Sequence, residues 1–369
     1  MALIVGAIIL SYILNYSDNA RIATHAEGAY IYVGGRKLID SSMGNGTHIL
    51  GHDSNLHLRH GTLFGGLKAF DSEKYVSLLS KYTGFKRFVF CNSGAEATMR
   101  AARVARAYTG KDRIAVIEGG WHGGCDTWLE GLGIPQCVQD LIIRLPNDSS
   151  AIKLIEHHKR MAMVFLEPLQ GAFPRYNQSF LQGIRDVCDN NGILLGFDET
   201  ITGFRSAKGG MREISGISSD IVTYGKIAGG GLPIGIVAGK DQVMDTFKQG
   251  VRMGGTFSCN PATLETGYRV LSMLSDDVYK YINAQGERFR SGIKYKSVGH
   301  GSISRIIFTD DKINNRKERD EKENQDKKKE FYRRSFDAGL YVGSNGIMFM
   351  STAHTPDIVS KMIEIVNST

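Results

Sequence analysis

The sequence predicts an α/β fold in which a mostly parallel, mixed sheet is flanked by helices on both faces. Between residues 88 and 238, short apolar segments alternate with longer segments of helical periodicity, which is typical of parallel strands joined by crossover helices. The apolar segments are continuous rather than alternating with polar residues, as expected of strands buried on both faces. The 44 glycines against 7 prolines indicate many tight turns in an ordered chain.

Six strands and three helices follow from this pattern in chain order. The strands are predicted at residues 88–91, 113–118, 162–167, 193–198, 220–224 and 234–238, and the helices between them at residues 95–108, 149–159 and 180–190. We expect these elements to form a large domain at residues 46–260.

The composition changes after Pro261. From there the sequence predicts two long helices, a short strand near residues 303–308, a charged run at residues 310–334 and a final helix that begins at Pro356. We expect these elements to form a smaller α+β domain at residues 261–369, completed by the N-terminal segment at residues 1–45.

The net charge of +7 would suit a nucleic-acid-binding protein, but much of the charge lies in the mixed-sign run at residues 310–334. Such a run is more often a solvated helix face or a loop than a basic binding stripe. We therefore expect no nucleic-acid partner. A non-catalytic relative of the fold that binds nucleic acid stays a rival hypothesis.

Cysteine usage and the N-terminus bear on the compartment. The five cysteines show no CxxC spacing, so neither a zinc site nor a disulfide framework is predicted, and a reducing cytoplasm is favoured. Residues 2–14 are apolar, but they cover only about two-thirds of a bilayer span. We therefore favour a buried helix that packs on this subunit or a partner over a membrane anchor.

The first of four chemical signals is the segment Asn92-Ser93-Gly94-Ala95, between a predicted strand and a helix. Ser93 is typical of an N-cap, and Gly94 allows a ligand to approach the backbone closely. The free amides of a first helical turn can bind an anion. An ordinary cap with nothing bound explains this motif equally well.

The second and third signals follow two predicted strands. Trp121 and His122 come after the strand at 113–118, where ligands bind in open α/β sheets, and a flat ring there can stack on a flat cofactor. Simple core packing is the alternative.

Asp198 ends an apolar strand, where a protonated pyridine nitrogen could keep the carboxylate ionised. A cap or a metal ligand is the alternative for Asp198, although no companion cluster supports a metal.

The fourth signal is Lys226, at a strand end and followed by the glycines Gly229, Gly230 and Gly231. A partly desolvated lysine has a lowered pKa and becomes a nucleophile toward aldehydes. A solvated surface lysine would not explain three successive glycines. The sequence therefore predicts a Schiff-base lysine at position 226.

From about Glu27 onward, the chain resembles the class III aminotransferases of pyridoxal-phosphate (PLP) fold type I, and within them the glutamate-1-semialdehyde 2,1-aminomutase group. The resemblance rests on motifs that occur in the same order: GAYIY at 28–32, ILGH at 49–52, GTLFG at 61–65, NSGAEAT at 92–98, WHG at 121–123, FDETITGFR at 197–205, GKIAGGGLPIG at 225–235, GGTFSCNP at 254–261 and STAHT at 351–355. Together they are highly specific, and they imply PLP as the cofactor.

The resemblance implies a role for each matching residue. Lys226 would carry the cofactor as a Schiff base and move protons, and Asp198 would pair with the pyridinium nitrogen. The remaining cofactor-binding residues would be Trp121 on one ring face with the adjacent His122, Thr200 on the other face, and Ser93, Gly94 and Ala95 at the phosphate. Thr256 would reach the phosphate of the neighbouring subunit, which implies a homodimer.

Three departures from the aminomutase pattern concern the substrate. No arginine precedes the GAYIY motif in the position that binds the substrate carboxylate, the gating loop between Asp126 and Leu145 is shortened, and residues 343–349 lack the expected glutamate. We therefore predict an aminotransferase that uses a small-molecule amino donor and an aldehyde or ketone acceptor. An aminomutase is the alternative, and a racemase or decarboxylase is not excluded. Arg205 could bind a carboxylate or form a structural ion pair.

Overall fold

A computed structural model of the protein describes residues 23–52, 72–158 and 160–369. The strands are β1 Ala23–Glu27, β2 Tyr30–Val33, β3 Arg36–Asp40, β4 Arg87–Cys91, β5 Arg113–Ile117, β6 Ile142–Leu145, β7 Met161–Leu166, β8 Leu194–Asp198, β9 Ile221–Gly225, β10 Gly235–Gly239, β11 Ser297–His300, β12 Ile303–Ile306, β13 Leu340–Tyr341 and β14 Ile347–Phe349.

The helices are α1 Met43–Gly46, α2 Ser72–Thr83, α3 Gly94–Thr109, α4 Gln136–Gln139, α5 Ser150–Glu156, α6 Gln178–Asn191, α7 Gly210–Ser215, α8 Asp241–Met244, α9 Pro261–Ser272, α10 Asp276–Gly292, α11 Arg316–Lys322, α12 Gln325–Asp337 and α13 Pro356–Ser368. Two 3-10 helices occupy Lys226–Gly229 and Asp245–Gln249.

The central sheet has seven strands in the order β4-β10-β9-β8-β7-β5-β6. Strand β10 is antiparallel to both of its neighbours, and the pairs from β9 to β6 are parallel. Strands β7, β8 and β9 are buried along their whole length, as their continuous apolar sequences predict. This mixed sheet, with helices packed against it, confirms the predicted fold class.

Helix α3 positions the site because it packs closely on the sheet. Its buried face is made of small residues, including Ala97, Ala101 and Ala105, which let the helix axis approach β9 and β10. The Ser93 hydroxyl accepts from the Glu96 amide at the N-terminus, and Gly110 ends the helix in the left-handed conformation. The beginning of α3 is therefore fixed at the carboxyl edge of the parallel strands.

Both ends of the described chain contribute to the smaller sheets. Strands β1, β2 and β3 form one sheet with β13 from the C-terminal part, and β11, β12 and β14 form another. The strand predicted near residues 303–308 is β12. The sequence analysis did not predict β6, whose edge position leaves it only partly buried, or the other short strands of the smaller sheets. Their few residues alternate or carry charge, so the apolar segments that reveal a buried strand are missing.

The charged run at residues 310–334 is largely helical, in α11 and α12. Most of its side chains are exposed to solvent, but some are buried. Arg319 and Glu323 are buried, so the expectation of a wholly solvated face is wrong at these residues. Residues 2–14 and the GTLFG motif at 61–65 lie outside the described residues. In the part of the chain that the structure describes, no helix combines the length and apolar character needed to cross a membrane.

Candidate active site

A cavity of about 520 Å³ lies at the carboxyl edge of the central sheet. It is formed where β7, β8 and β9 end and α3 begins, the place where open α/β sheets bind ligands. Eight of the nine predicted site residues line it: Ser93, Gly94, Ala95, Trp121, His122, Asp198, Thr200 and Lys226. Residues separated by more than 130 positions in the sequence are thus brought to one place.

Asp198 lies at the end of β8 and is buried. Its Oδ2 is 2.9 Å from His122 Nδ1, and its Oδ1 accepts from the Thr200 amide at 3.0 Å and the Thr223 hydroxyl at 3.2 Å. Burial alone would raise the pKa of this carboxyl, but the neighbouring His122 and Thr200 outweigh burial and lower it. Asp198 is therefore held as a carboxylate at the base of the cavity.

His122 is fixed against Asp198 by its backbone and its ring. The Thr98 hydroxyl donates to the His122 carbonyl at 2.5 Å, and the ring packs edge-on against Trp128 and beside Phe165. The sequence predicted that His122 would contact the cofactor without revealing this pairing with Asp198. Within the described residues no group of three or more His, Cys, Asp or Glu side chains could hold a metal.

Lys226 follows β9 directly and begins a 3-10 helix. Its φ of 50° is in the left-handed region, which is costly for a residue with a side chain and is found mainly at functional positions. A Cβ on the nearby Gly230 would lie 2.7 Å from the Thr266 carbonyl oxygen, so glycine is required where this loop meets α9. Burial lowers the pKa of Lys226, although Asp198 and Glu167 oppose the shift.

The start of α3 forms the opposite end of the cavity. The amides of Gly94 and Ala95 belong to the first turn and have no acceptor among the described residues. A Cβ on Gly94 would lie 2.8 Å from Thr200 Cγ2, and one on Gly123 would lie 2.4 Å from Ala95 Cβ. Backbone and side chains therefore meet around these two glycines, and the free amides form a site for an anion.

Trp121 and Thr256 differ from the other predicted residues. Trp121 lines the cavity but is 59% exposed, so one face of its ring is open. Thr256 is exposed and does not line the cavity of its own chain. The structure therefore brings Thr256 to the surface, next to the exposed Phe257, and its predicted role stays a prediction.

Glu167 is a site residue that the sequence reasoning missed. It follows β7, lines the cavity, and accepts from the amides of Trp121 at 3.1 Å and Gly171 at 3.2 Å. Burial, and then the charge of Asp198, raise its pKa to about 7. An acidic residue at the end of an apolar strand was the signal that identified Asp198, and the same signal at the end of β7 could have identified Glu167.

Arg205 forms no ion pair with a described residue, and its described acceptors are all uncharged. It is fully buried, and its guanidinium donates to the carbonyls of Met350 at 3.0 Å and Gly46 at 2.7 Å and to the Ser302 hydroxyl at 3.2 Å. Burial lowers its pKa to about 9. Because these acceptors are uncharged and the side chain lines neither cavity near Lys226, Arg205 joins chain segments and does not bind a substrate carboxylate.

A second cavity, also about 520 Å³, adjoins the first. The two share the side chains of Trp121, Glu167, Ile201 and Lys226 as walls. The walls of the second cavity also include cationic residues: Arg305 from β12, Arg316 and Arg319 from α11, and Lys328 from α12. Lys226 thus faces a polar cofactor-sized cavity on one side and a cationic cavity on the other.

The residues of the first cavity fit PLP. The free amides of α3 suit a phosphate, the ionised Asp198 suits a protonated pyridine nitrogen, and Lys226 has the lowered pKa required of an aldehyde-binding amine. All three line one cavity whose volume is typical of cofactor sites. The donor set contains both the charges and the nucleophile that this cofactor requires.

Comparison with known proteins agrees with this geometry. The family model described as Aminotransferase class-III matches residues 13–131 and 139–363. The glutamate-1-semialdehyde 2,1-aminomutase of Methanosphaera stadtmanae is 32% identical over 95% of this chain and 92% of its own, and that of Archaeoglobus fulgidus is 33% identical over 92% and 90%.

Among solved structures, an omega-transaminase from Sphaerobacter thermophilus superposes with a TM-score of 0.89 and 26% identity, covering 96% of this chain and 91% of that one. The family match spans most of the chain, and the matched residues include those that line the cavity. The chain therefore belongs to the class-III aminotransferases, enzymes that depend on pyridoxal 5'-phosphate.

Proposed function

We propose that this protein is an aminotransferase that moves an amino group from a small-molecule donor to an aldehyde or ketone acceptor. The observation that carries the proposal is that Lys226 and Asp198 line one cavity together with the free amides of α3. PLP supplies an aldehyde for amine exchange and an electron-accepting ring. The side chains around it determine which protons move and which substrates enter.

Lys226 is the proposed point of covalent attachment and the proton carrier. Its lowered pKa leaves more of the amine neutral near pH 7 than in an ordinary lysine, and only the neutral amine attacks an aldehyde or accepts a proton. Lys226 would hold the cofactor through Nζ, and the same Nζ would be the base for the Cα proton of a bound donor. Its left-handed backbone conformation directs the side chain from the end of β9 into the shared wall of the two cavities.

Asp198 and His122 are proposed to keep the ring nitrogen protonated. The carboxylate stays ionised because His122, Thr200 and Thr223 supply hydrogen bonds that replace water. An ionised partner raises the proton affinity of a pyridine nitrogen, and a protonated ring withdraws electrons more strongly. Trp121 is proposed to stack on one face of that ring, with Thr200 on the other.

A homodimer is proposed for the complete site. Thr256 matches the family position that contacts a partner's phosphate, and it lies exposed beside Phe257, which is 59% exposed. An exposed aromatic side chain next to a polar site residue suits a subunit contact. Crosslinking between cysteines substituted at Thr256 and Ser93 in separate chains would test this arrangement.

An aminomutase is the second candidate. It is favoured by the aminomutase names of relatives that are 32% and 33% identical over at least 90% of both chains. Aminotransfer between two molecules remains our preference because the substrate arginine, the long gating loop and the late glutamate of the aminomutase pattern are missing from the sequence. These are the features that would hold an intermediate in place.

Single-turnover spectroscopy of the purified holoenzyme tests both candidates. An aminotransferase should bleach the visible absorbance of its cofactor with an amino donor and recover it with a separate acceptor. An aminomutase should convert glutamate-1-semialdehyde with no second substrate. Lys226→Ala should abolish the borohydride-reducible link to the cofactor, whereas Lys153→Ala, an exposed lysine of α5, should keep it.

The outcome that would overturn the proposal is a protein with no cofactor absorbance and no half-reaction with any amino donor. Salt-sensitive binding to DNA or RNA in the same preparation would then favour the rival, non-catalytic hypothesis. Release of carbon dioxide or inversion of the donor without amino transfer would instead indicate a decarboxylase or a racemase.

A further inference from the structure

The cationic cavity beside Lys226 is built from three separate parts of the chain. Arg305 comes from β12, Arg316 and Arg319 from α11, and Lys328 from α12. The charged run, which composition alone assigned to solvent, thus lines the approach to the active lysine. Because the cavity shares Trp121 and Lys226 with the cofactor cavity, a ligand in it lies next to the reacting amine.

The cations of α11 and α12 that line the cavity already have carboxylate partners. Asp320 accepts from Arg316 at 3.2 Å and pairs with Arg319. Glu323 is fully buried and lies 3.7 Å from Arg319 and 3.3 Å from Lys328. Two carboxylates therefore serve these three cations, and each cation has at least one partner within the protein.

Arg305 is different, because it is buried without a counter-ion. It is 3% exposed, and its guanidinium donates to the Asn345 carbonyl, while its Nε has no partner among the described residues. It forms no ion pair with any described carboxylate, although Glu323 and Asp320 act on it at longer range and oppose the like charge of Arg319. Burial, reinforced by Arg319, lowers its pKa to about 10.

A buried cation without a counter-ion is costly to the folded protein. The same arrangement is favourable for binding, since an incoming anion gains a charge-assisted hydrogen bond in a site that has already lost its water. A guanidinium is the side chain best suited to a carboxylate, whose two oxygens match its planar set of donors. The unpaired charge therefore indicates a ligand with an anionic group.

We propose that Arg305 is a specificity-determining residue that binds a carboxylate of the amino donor or acceptor, in the cavity formed with α11 and α12. This inference rests on the proposed aminotransferase function and adds the class of substrate, an amino acid or an oxo acid. It also supplies a carboxylate contact in a chain that lacks the N-terminal arginine of the aminomutase pattern. The carboxylate and the amine of one substrate would lie against Arg305 and Lys226 respectively.

Matched donors test the proposal in the holoenzyme. Isopropylamine is alanine with a methyl group in place of the carboxylate, and propylamine is related to β-alanine in the same way. We expect the rate of cofactor bleaching per unit donor concentration to favour the acids by roughly 10- to 100-fold, the range for a hydrogen bond to a charged group. Arg305→Met should remove this preference by slowing the acids alone, and Arg305→Lys should retain part of it.

Arg333→Met is the matched control. Arg333 lies on α12, is exposed, pairs with Glu330 and Asp337, and does not line the cavity. The preference for acids should survive this change. If Arg305→Met slowed acids and neutral amines equally, or if the wild type showed no preference, the proposal would be wrong while the aminotransferase function stood. Absence of any half-reaction would instead count against that function.

Two further measurements separate binding from catalysis and carboxylate from phosphate chemistry. Succinate, which has no amine, should raise the melting temperature of the wild type and leave that of Arg305→Met unchanged; no shift in the wild type would overturn the proposal.

2-Aminoethylphosphonate should react more slowly than β-alanine. A faster, Arg305-dependent reaction with the phosphonate would mean that the cavity binds a phosphate-like group and not a carboxylate. Arg305→Gln provides a polar variant should Arg305→Met fail to fold.

Discussion

The two cavities on either side of Lys226 differ in how their charges are balanced. On the cofactor side, Asp198 receives hydrogen bonds from His122, Thr200 and Thr223, so its charge is satisfied before any ligand arrives. On the cationic side, Arg305 is buried and forms no ion pair with a described residue. The carboxylate of the cofactor side already has its hydrogen-bond donors, whereas the buried guanidinium of the cationic side has no direct ion pair among the described residues.

This difference separates the fixed part of the chemistry from the variable part. A cofactor common to a whole family can be bound by short motifs at the ends of buried strands, whose positions are set by the sheet. In our proposal, substrate specificity depends instead on Arg305 and on residues of α11 and α12, which line the second cavity. Variants on the cofactor side should therefore affect all substrates, and variants on the cationic side should affect only some.

The largest loss in this series is expected for Asp198→Asn. The amide keeps the size of the side chain but removes the negative charge that favours a protonated ring, so every donor should react roughly 10²- to 10⁴-fold more slowly. Asp186→Asn, at an exposed position of α6, is the control and should behave as the wild type. Stopped-flow absorbance with two unrelated donors measures the effect. A loss restricted to acidic donors would contradict the division between the two cavities.

A smaller, pH-dependent loss is expected for His122→Leu. His122 lowers the pKa of Asp198 against the opposing effect of burial. Without it, burial raises that pKa, so the carboxylate becomes protonated as the pH falls through the new, higher value. The half-reaction should therefore lose activity from the acid side, with little change at high pH.

His122→Asn provides the rescue variant, since its amide can still donate to Asp198. The acid limb of the rate profile should return toward the wild-type position. An acid limb that is the same in the wild type and in His122→Leu would mean that His122 does not control the ionisation of Asp198.

Glu167→Gln should change reactivity by only a few-fold but should alter how stability depends on pH. The unfolded chain releases this proton near its usual pKa of about 4.5, whereas the folded chain holds it to about 7. The free energy of unfolding therefore falls as pH rises through this window, by at most roughly 3–4 kcal/mol from this group, and Glu167→Gln should lack that decline. Urea unfolding of the cofactor-free protein at the two ends of the window measures it.

Glu199 is the internal comparison for Glu167. Its pKa is also raised to about 7 by burial, but it accepts from the amides of Met211 and Arg212 and does not line either cavity. Glu199→Gln should therefore change the pH dependence of stability without changing the half-reaction. Equal effects of both variants on the half-reaction would show that the position of Glu167 in the cavity wall is irrelevant.

The residues predicted for the cofactor lie together in one cavity, and their signals in the sequence are local. Asp198 and Lys226 each end a buried strand, and Ser93 and Gly94 begin a helix, so position in the sheet follows from the apolar pattern alone. Glu167 carried the same local signal and was overlooked. The pairing of His122 with Asp198 could not be predicted, since it joins a loop residue to the end of β8, and the two residues are 76 positions apart in the sequence.

The cationic side could not be predicted because its meaning arises from packing. Residues 310–334 look like a solvated helix, and most of their ion pairs are exposed. Only the folded chain shows that Arg319 and Glu323 are buried and that Arg305, on a different element, is buried too and forms no ion pair with a described carboxylate. Charge alone does not distinguish a helix face in water from one that closes a cavity.

Arg205 gives the sharpest internal contrast with Arg305, and the smallest effect expected on catalysis. Both guanidiniums are buried without a described ion pair, but Arg205 donates to Gly46, Met350 and Ser302 and lines neither cavity near Lys226. Arg205→Met should leave those three acceptors without their donor and lower the free energy of unfolding by roughly 2–4 kcal/mol. The preference for acids over neutral amines should stay as in the wild type, because no substrate contact is lost. Arg305→Met should do the reverse, removing the preference at little cost in stability, since it replaces a buried charge that has no direct ion pair by an apolar side chain. If Arg205→Met also abolished the preference, then the two arginines would act as one electrostatic unit, and the assignment of the carboxylate to Arg305 alone would fail.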